Sequence, residues 1–188
     1  MTRRSATEPP ALTGATDDAE PDPESVARAI CLRLLTGAPR TRAELATAMR
    51  KRGVPDHVAE QVLDRFVDVN LIDDAAFAEG YVESRQRERG LARTALRHEL
   101  RRKGVDEETA AAALDALDPE QERATAMALV RRRLTSTAGM APDKRTARLV
   151  GMLARKGYPA GTAYRVVREV LAAEGVDVEG SVVGVDLD

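Results

Sequence analysis

A pattern of apolar and polar positions recurs three times along the chain. Each copy is a cassette of 22 residues, at 45–66, 96–117 and 149–170, with a glycine near its middle. Two apolar residues stand eight and four positions before each glycine, one turn apart on the same face of a helix. Because three copies in one frame are hard to reach by chance, the pattern predicts a repeat protein.

Each cassette contains the signals that end one helix and begin another. Two basic residues precede every glycine, where cations suit the negative end of a helix dipole. The glycine can adopt the left-handed conformation that ends a helix. Pro55, Asp106 or Pro159 then opens the second helix as a cap or first-turn residue. Each cassette is therefore predicted to be two helices with a buried apolar face.

A further helix precedes each cassette and completes a unit of about 50 residues. Asp22-Pro23, Asp73-Asp74 and Asp118-Pro119 are typical helix openings. The resulting prediction is an all-α chain of three tandem three-helix modules: module 1 at 23–72, module 2 at 73–117 and module 3 at 118–174. Units this small bury too little surface to be stable alone, so we expect an elongated row in which neighbours stabilise one another.

Charge is unevenly distributed along the sequence. The net charge is −2, yet residues 25–172 carry 27 basic and 20 acidic side chains. The flanking segments, 1–22 and 175–188, are predicted to be acidic tails, and the first is expected to be disordered because it is polar and lacks helical periodicity. A basic body indicates a polyanionic partner.

Several functional classes find no support in the sequence. It has no apolar run of about 18 residues and no secretory signal, so we expect a cytoplasmic protein without membrane contact. The single cysteine, Cys31, is interpreted as a core residue. Phosphate-binding loops, metal-ligand spacings and serine elbows are missing. His57 and His98 are interpreted as ordinary surface residues. We therefore expect no enzymatic activity, cofactor or metal.

Basic residues on the first two helices of the modules form the predicted binding surface. Arg93, Arg97 and Arg101 follow i, i+4, i+8 spacing and make a solvent-facing stripe beside the apolar face. Only five aromatic residues are present, which disfavours base stacking and leaves phosphate or acidic protein as the target. The predicted contact residues are Arg42, Arg50, Lys51, Arg52, Arg85, Arg87, Arg89, Arg93, Arg97, Arg101, Arg102, Lys103, Arg131, Arg132, Arg145, Arg148, Arg155 and Lys156.

Four stretches together resemble one known family. They read PRTRAELATAMRKRGV (39–54), NLIDDAAFAEGYVESRQRERG (70–90), LARTALRHELRRKGV (91–105) and RLVGMLARKGY (148–158). The chain resembles the RecX regulators of the bacterial recombinase RecA. That resemblance implies three tandem three-helix modules, and a non-enzymatic monomer that binds along the groove of the RecA filament on single-stranded DNA. It also implies inhibition of strand exchange and of ATP hydrolysis by RecA.

Two other functions remain open from the residues themselves. Two helices joined by a tight glycine turn also describe a helix-turn-helix, so a trihelical DNA-binding repressor is one alternative. Its weakness is that no cassette shows an exposed row of Asn, Gln and Arg suited to base edges. A helical scaffold that binds protein only is the other alternative.

Overall fold

The computed structural model describes residues 22–175, and every regular element in that range is helical. Nine α-helices and one 3₁₀ turn follow one another along these residues. Their bounds are α1 Pro23–Gly37, α2 Arg42–Arg50, α3 Asp56–Asp68, α4 Asp74–Arg89, α5 Arg93–Arg102, α6 Glu107–Asp115, α7 Pro119–Leu134, the 3₁₀ turn Thr135–Thr137, α8 Pro142–Arg155 and α9 Ala160–Ala173. The predicted all-α fold is confirmed.

Helix starts follow the capping signals of the sequence. The Thr41 hydroxyl accepts a hydrogen bond from the Glu44 amide at 3.1 Å, and the Glu44 carboxylate accepts one from the Thr41 amide at 3.3 Å. This reciprocal pair is a capping box, which satisfies two amides that the first turn of α2 leaves unpaired. Asp73 and Asp118 cap α4 and α7 in the simpler way, through one carboxylate.

The glycine turns also form as the sequence predicts. Gly53, Gly104 and Gly157 have φ values of +76°, +79° and +88°, in the left-handed region where a side chain is strained. Asn70 has a φ of +56° just after α3. The turns end their helices and let the next helix fold back.

Three apolar cores lie in sequence along the chain. Leu45 and Met49, which the periodicity assigns to a buried face, are fully buried in the first core with Cys31. The second core is built around Leu96 and Leu100, and the third around residues of α7, α8 and α9. Helices α1–α3, α4–α6 and α7–α9 are thus the three predicted modules, and the end residues of the modules stay a prediction.

Corresponding helices of the three modules differ in length. Helix α6 covers only Glu107–Asp115, 9 residues, whereas its counterparts α3 and α9 have 13 and 14 residues. Helix α8 begins at Pro142 and is about one turn longer than α5, its counterpart in module 2. The predicted acidic tails, 1–22 and 175–188, fall almost wholly outside the described residues.

Adjacent modules stack through the glycine turns. A methyl group placed on Gly104 would overlap the Cβ of Ala43 in α2, and one placed on Gly157 would lie 2.5 Å from the backbone nitrogen of Ala95 in α5. The equivalent glycine of module 1, Gly53, has nothing within 4 Å of that position. The glycine turn of each later module therefore packs against the second helix of the module before it. This contact arranges the modules in a row.

Candidate interaction surface

Two of the predicted contact arginines tie helices together. The guanidinium of Arg42 pairs with Glu60 at 2.7 Å and with Asp64, both on α3. The backbone N–H of Arg42 donates to Asp74 of module 2 at 2.9 Å. Burial is the main reason that the pKa of Asp74 is raised above its ordinary value, and the hydrogen bond from Arg42 opposes it.

Arg93 repeats this arrangement one module later. Its guanidinium lies 3.6 Å from both Asp115 and Glu122 and donates to the carbonyl of Leu117. Its backbone N–H donates to Glu122 of module 3 at 2.8 Å. Arg93 is therefore held by residues of α6 and α7 and by the Leu117 carbonyl, and its side chain is only about one-third exposed. The expectation of a solvent-facing stripe is wrong for this residue, because the stripe runs into the α6 terminus and α7.

The two lysines that precede the turn glycines lie at the module junctions. The carbonyl of Lys103 accepts a hydrogen bond from the Thr41 hydroxyl at 2.6 Å, and its ammonium pairs with Glu44 at 2.8 Å. The carbonyl of Lys156 accepts from the amide of Ala92 at 2.8 Å. Both lysines are half-buried, so their first role is to join modules.

Arg145 is a correction to the predicted surface. It is only 4% exposed, and its guanidinium donates to the Thr137 hydroxyl and the Leu134 carbonyl, each at 3.2 Å, while pairing with Glu174 at 2.8 Å. The extra turn of α8 puts this side chain against the 3₁₀ turn that follows α7. A residue so placed satisfies carbonyls inside module 3 and is not available on the surface.

A second group of predicted residues, all exposed except the half-buried Arg85, is already paired with carboxylates. Exposed ion pairs contribute little to stability and exchange easily with a partner's charges. The pairs are Arg50–Asp56 at 3.6 Å, Arg85–Glu88 at 3.4 Å, Arg87–Glu83, Arg89–Glu99 at 3.1 Å, Arg97–Glu107 at 3.3 Å and Arg102–Glu99 at 3.7 Å.

The remaining predicted residues are exposed and have no carboxylate partner among residues 22–175. They belong to α2, α5, α7 and α8 or to the turns after them, so they come from all three modules. They are Lys51, Arg52, Arg101, Arg131, Arg132, Arg148 and Arg155.

Cations from three helices gather where modules 2 and 3 meet. The pKa of Lys156 is lowered by burial first, and then by the positive charges of Arg89, Arg132 and Arg133. Arg89 ends α4 and the two arginines lie near the end of α7, so the four residues come together only in the folded chain. We name Arg89, Arg132, Arg133 and Lys156 the junction cluster. Such a concentration of positive charge attracts phosphate or carboxylate groups.

Sequence reasoning missed several residues at these junctions. Arg40 is half-buried with no hydrogen bond or ion pair among the described residues, and its Nε is buried without a partner. Asp74 and Glu122 bind backbone amides of the preceding module. The only sequence signal for the two acids is that each lies in the first turn of a module's opening helix.

Two kinds of feature do not occur within residues 22–175. No group of three or more His, Cys, Asp or Glu residues there is arranged to hold a metal ion. None of the helices in that range combines the length and apolar character needed to cross a membrane.

Fold and surface together define a class: an all-helical repeat protein with cations distributed over a row of modules. Family profiles described as the first, second and third three-helix domains of RecX match residues 27–66, 73–114 and 120–167. The chain belongs to the RecX family of regulatory proteins.

Individual relatives agree with this assignment. The chain is 63% identical over 153 residues to the regulatory protein RecX of Thermobifida fusca, covering 81% of this chain and 83% of that protein. It is 58% identical over 158 residues to the regulatory protein RecX of Streptomyces coelicolor, covering 84% of each. The crystal structure of RecX from Lactobacillus salivarius has a TM-score of 0.73 at 19% identity, covering 79% of this chain and 97% of that one. That structural likeness shows the fold.

Proposed function

We propose that this chain regulates homologous recombination by binding the RecA filament on single-stranded DNA along its groove. It inhibits strand exchange and ATP hydrolysis by RecA, and it acts by binding and not by catalysis. The observation that carries the proposal is the spread of unpaired exposed cations over three stacked modules, from Lys51 in module 1 to Arg155 in module 3. A filament is a long, repetitive partner that such a row can follow.

The electrostatics favour a polyanionic surface as the target. The body of the chain has an excess of basic residues, and in the junction cluster burial and then three arginines lower the pKa of Lys156. Acidic protein surface or DNA phosphate would balance this local positive charge. Bound between neighbouring RecA subunits, the rigid modules would restrain the movements that accompany ATP turnover.

A charge-reversal pair tests the proposal. Arg132→Glu with Arg133→Glu reverses half of the junction cluster on an exposed helix end and leaves the apolar cores intact. We expect binding to the RecA filament at low salt to weaken about tenfold or more, because exposed charges drive such association. Inhibition of RecA ATP hydrolysis by the variant should fall in parallel. Circular dichroism should show that its helicity is unchanged.

The matched control is Arg28→Glu with Arg33→Glu, which changes the net charge equally on exposed positions of α1. It should retain inhibition close to that of the unaltered protein. Inhibition by the junction-cluster variant equal to that of the control would contradict the proposal. Titration against bare DNA, RecA alone and the assembled filament separates it from the repressor and the protein-only scaffold, which bind bare DNA and free protein respectively.

A further inference from the structure

A groove runs between modules 1 and 2, and Lys103, next to their shared glycine contact, is among the residues that line it. It has a volume of about 690 Å³ and lies between the end of α1, the segment after α3 and one face of α4. This size is in the range of sites that take side chains or small ligands. No described residue fills it.

The floor of the groove is a row of small residues on α4. Ala76, Gly80 and Ser84 follow i, i+4, i+8 spacing and all line it. A methyl group placed on Gly80 would meet nothing within 4 Å, so packing inside this chain does not require glycine there. Glycine in a helix interior is less favourable than alanine. Its presence is accounted for if another chain approaches the helix closely at this point.

The walls combine apolar and cationic groups. Leu71 is 48% exposed beside the groove, and the stacked rings of Phe77 and Tyr81 line its inner side. Arg40, in the segment after α1, and Arg85, on α4, line it together with Lys103, and each of the two arginines has a buried Nε without a hydrogen-bond partner.

Neither guanidinium is fully neutralised by the chain itself. Arg40 has no ion pair among the described residues. Arg85 makes a 3.4 Å contact to Glu88, and its guanidinium carbon lies 4.9 Å from the centre of the Tyr81 ring. The acid among the lining residues, Asp73, is occupied by the amide of Ala76 at 2.8 Å. Buried donors without acceptors are costly, so the site favours a ligand that supplies carboxylates.

We propose that this groove binds an acidic peptide segment with apolar side chains, presented by the protein subunits of the partner filament. The inference rests on the proposed function and assigns this surface to protein and not to nucleic acid. Arg40 and Arg85 would pair with the acidic side chains of such a peptide. The exposed Leu71 and the ring of Phe77 would contact its apolar side chains, which a phosphate backbone does not have.

Two variants test the groove by different means. Gly80→Gln fills the floor with a good helix-forming residue and removes no charge. Arg40→Gln removes a cation that bonds to nothing in the described chain. Each should weaken binding to the RecA filament about tenfold, which corresponds to about 1.4 kcal/mol, and leave binding to a bare single-stranded oligonucleotide within about twofold. Thermal unfolding should show that neither variant is less stable.

The control is Gly161→Gln, which also fills open space on an exposed helical glycine, but on α9 and outside the groove. It should bind the filament as the unaltered protein does. Normal filament binding by Gly80→Gln would overturn the proposal, and so would equal losses for filament and oligonucleotide.

Two further outcomes are distinguishable. A protein trimmed to residues 22–175 that gains affinity about tenfold, with no gain when Gly80→Gln is present, would show that the groove holds an acidic tail of this chain, and would overturn the assignment to a partner. If the unaltered protein fails to bind the filament at all, the proposed function fails. If it binds and inhibits while the groove variants match it, only the groove proposal fails.

Discussion

The two junctions between modules use the same backbone stacking but different side chains. Between modules 1 and 2 the contacts are polar: the Thr41 hydroxyl on the Lys103 carbonyl, and the Lys103 ammonium on Glu44. Between modules 2 and 3 the Arg93–Glu122 ion pair, 3.6 Å long, is accompanied by buried packing: the Tyr158 hydroxyl donates to the Gly90 carbonyl at 3.3 Å, and Ala92 of module 2 belongs to the core of module 3.

This difference predicts how the stability of each junction depends on salt concentration. Ion pairs at a half-buried surface are screened by salt, whereas apolar packing is not. The first junction should therefore loosen with ionic strength, and it is the one beside the open groove. The second should behave as part of the core of module 3.

The largest expected effect comes from the glycine that packs most closely at the second junction. Gly157→Ala combines a left-handed φ with a Cβ only 2.5 Å from the Ala95 backbone nitrogen, which cannot move aside without shifting α5. We expect a loss of at least about 2 kcal/mol in the free energy of unfolding, measured by denaturant titration.

Two other glycines complete that series. Gly104→Ala should cost about as much as Gly157→Ala, because its Cβ would lie 2.2 Å from the Cβ of Ala43, which the backbone of α2 holds in place. Gly53→Ala meets open space and should cost only the conformational term of about 1 kcal/mol. Equal losses for all three would show that stacking between modules adds nothing to the turn itself.

A smaller effect is expected for the tyrosine at the second junction. Tyr158→Phe removes the donor to the Gly90 carbonyl and leaves a buried acceptor unpaired. Because the distance from the Tyr158 hydroxyl to the Gly90 carbonyl is long, 3.3 Å, we expect a loss of about 1 kcal/mol in the free energy of unfolding. The melting temperature measures it, and a loss that disappears in high salt would contradict the apolar character of this junction.

The ion pair at the first junction should contribute less again. A double-mutant cycle of Glu44→Gln and Lys103→Met should give a coupling of about 0.5 kcal/mol, because both side chains are about one-quarter exposed and partly screened. The coupling should shrink between low and high salt. Glu44→Gln keeps a reciprocal capping partner for Thr41, which isolates the charge.

The smallest effect concerns Asp74. Its pKa is raised, so the folded chain holds this proton more tightly than the unfolded chain, and the carboxyl favours folding at low pH. That contribution is lost as pH rises through the raised pKa. Asp74→Asn keeps an acceptor for the Arg42 amide and should flatten this part of the stability profile between about pH 3 and 7. An unchanged profile would contradict the role of burial.

Local features of the fold followed from the sequence, and contacts between modules did not. The capping box at Thr41 and the turn at Gly104 depend on residues within one or two turns, so their signals are readable along the chain. The pairing of Lys103 with Glu44 spans 59 residues and depends on how modules stack. The periodicity of apolar residues along the chain does not predict a contact between residues that far apart in sequence.

The candidate surface shows the same division. Spacing on a helix correctly separates the exposed face from the apolar face for Arg97 and Arg101. It fails for Arg145, because the longer α8 and the carbonyls left open after α7 turn an apparent surface residue into a buried donor. It also overlooks Arg40, which lies in a loop where helical spacing carries no information.

The empty space beside Gly53 gives the row a direction. Among the described residues nothing lies against this turn, whereas the equivalent turns of modules 2 and 3 each contact a helix of the module before. An extra copy of module 2 fused ahead of α1 would therefore bring its α5 next to a turn that can accept it. Lengthening this protein by design should succeed at its amino end.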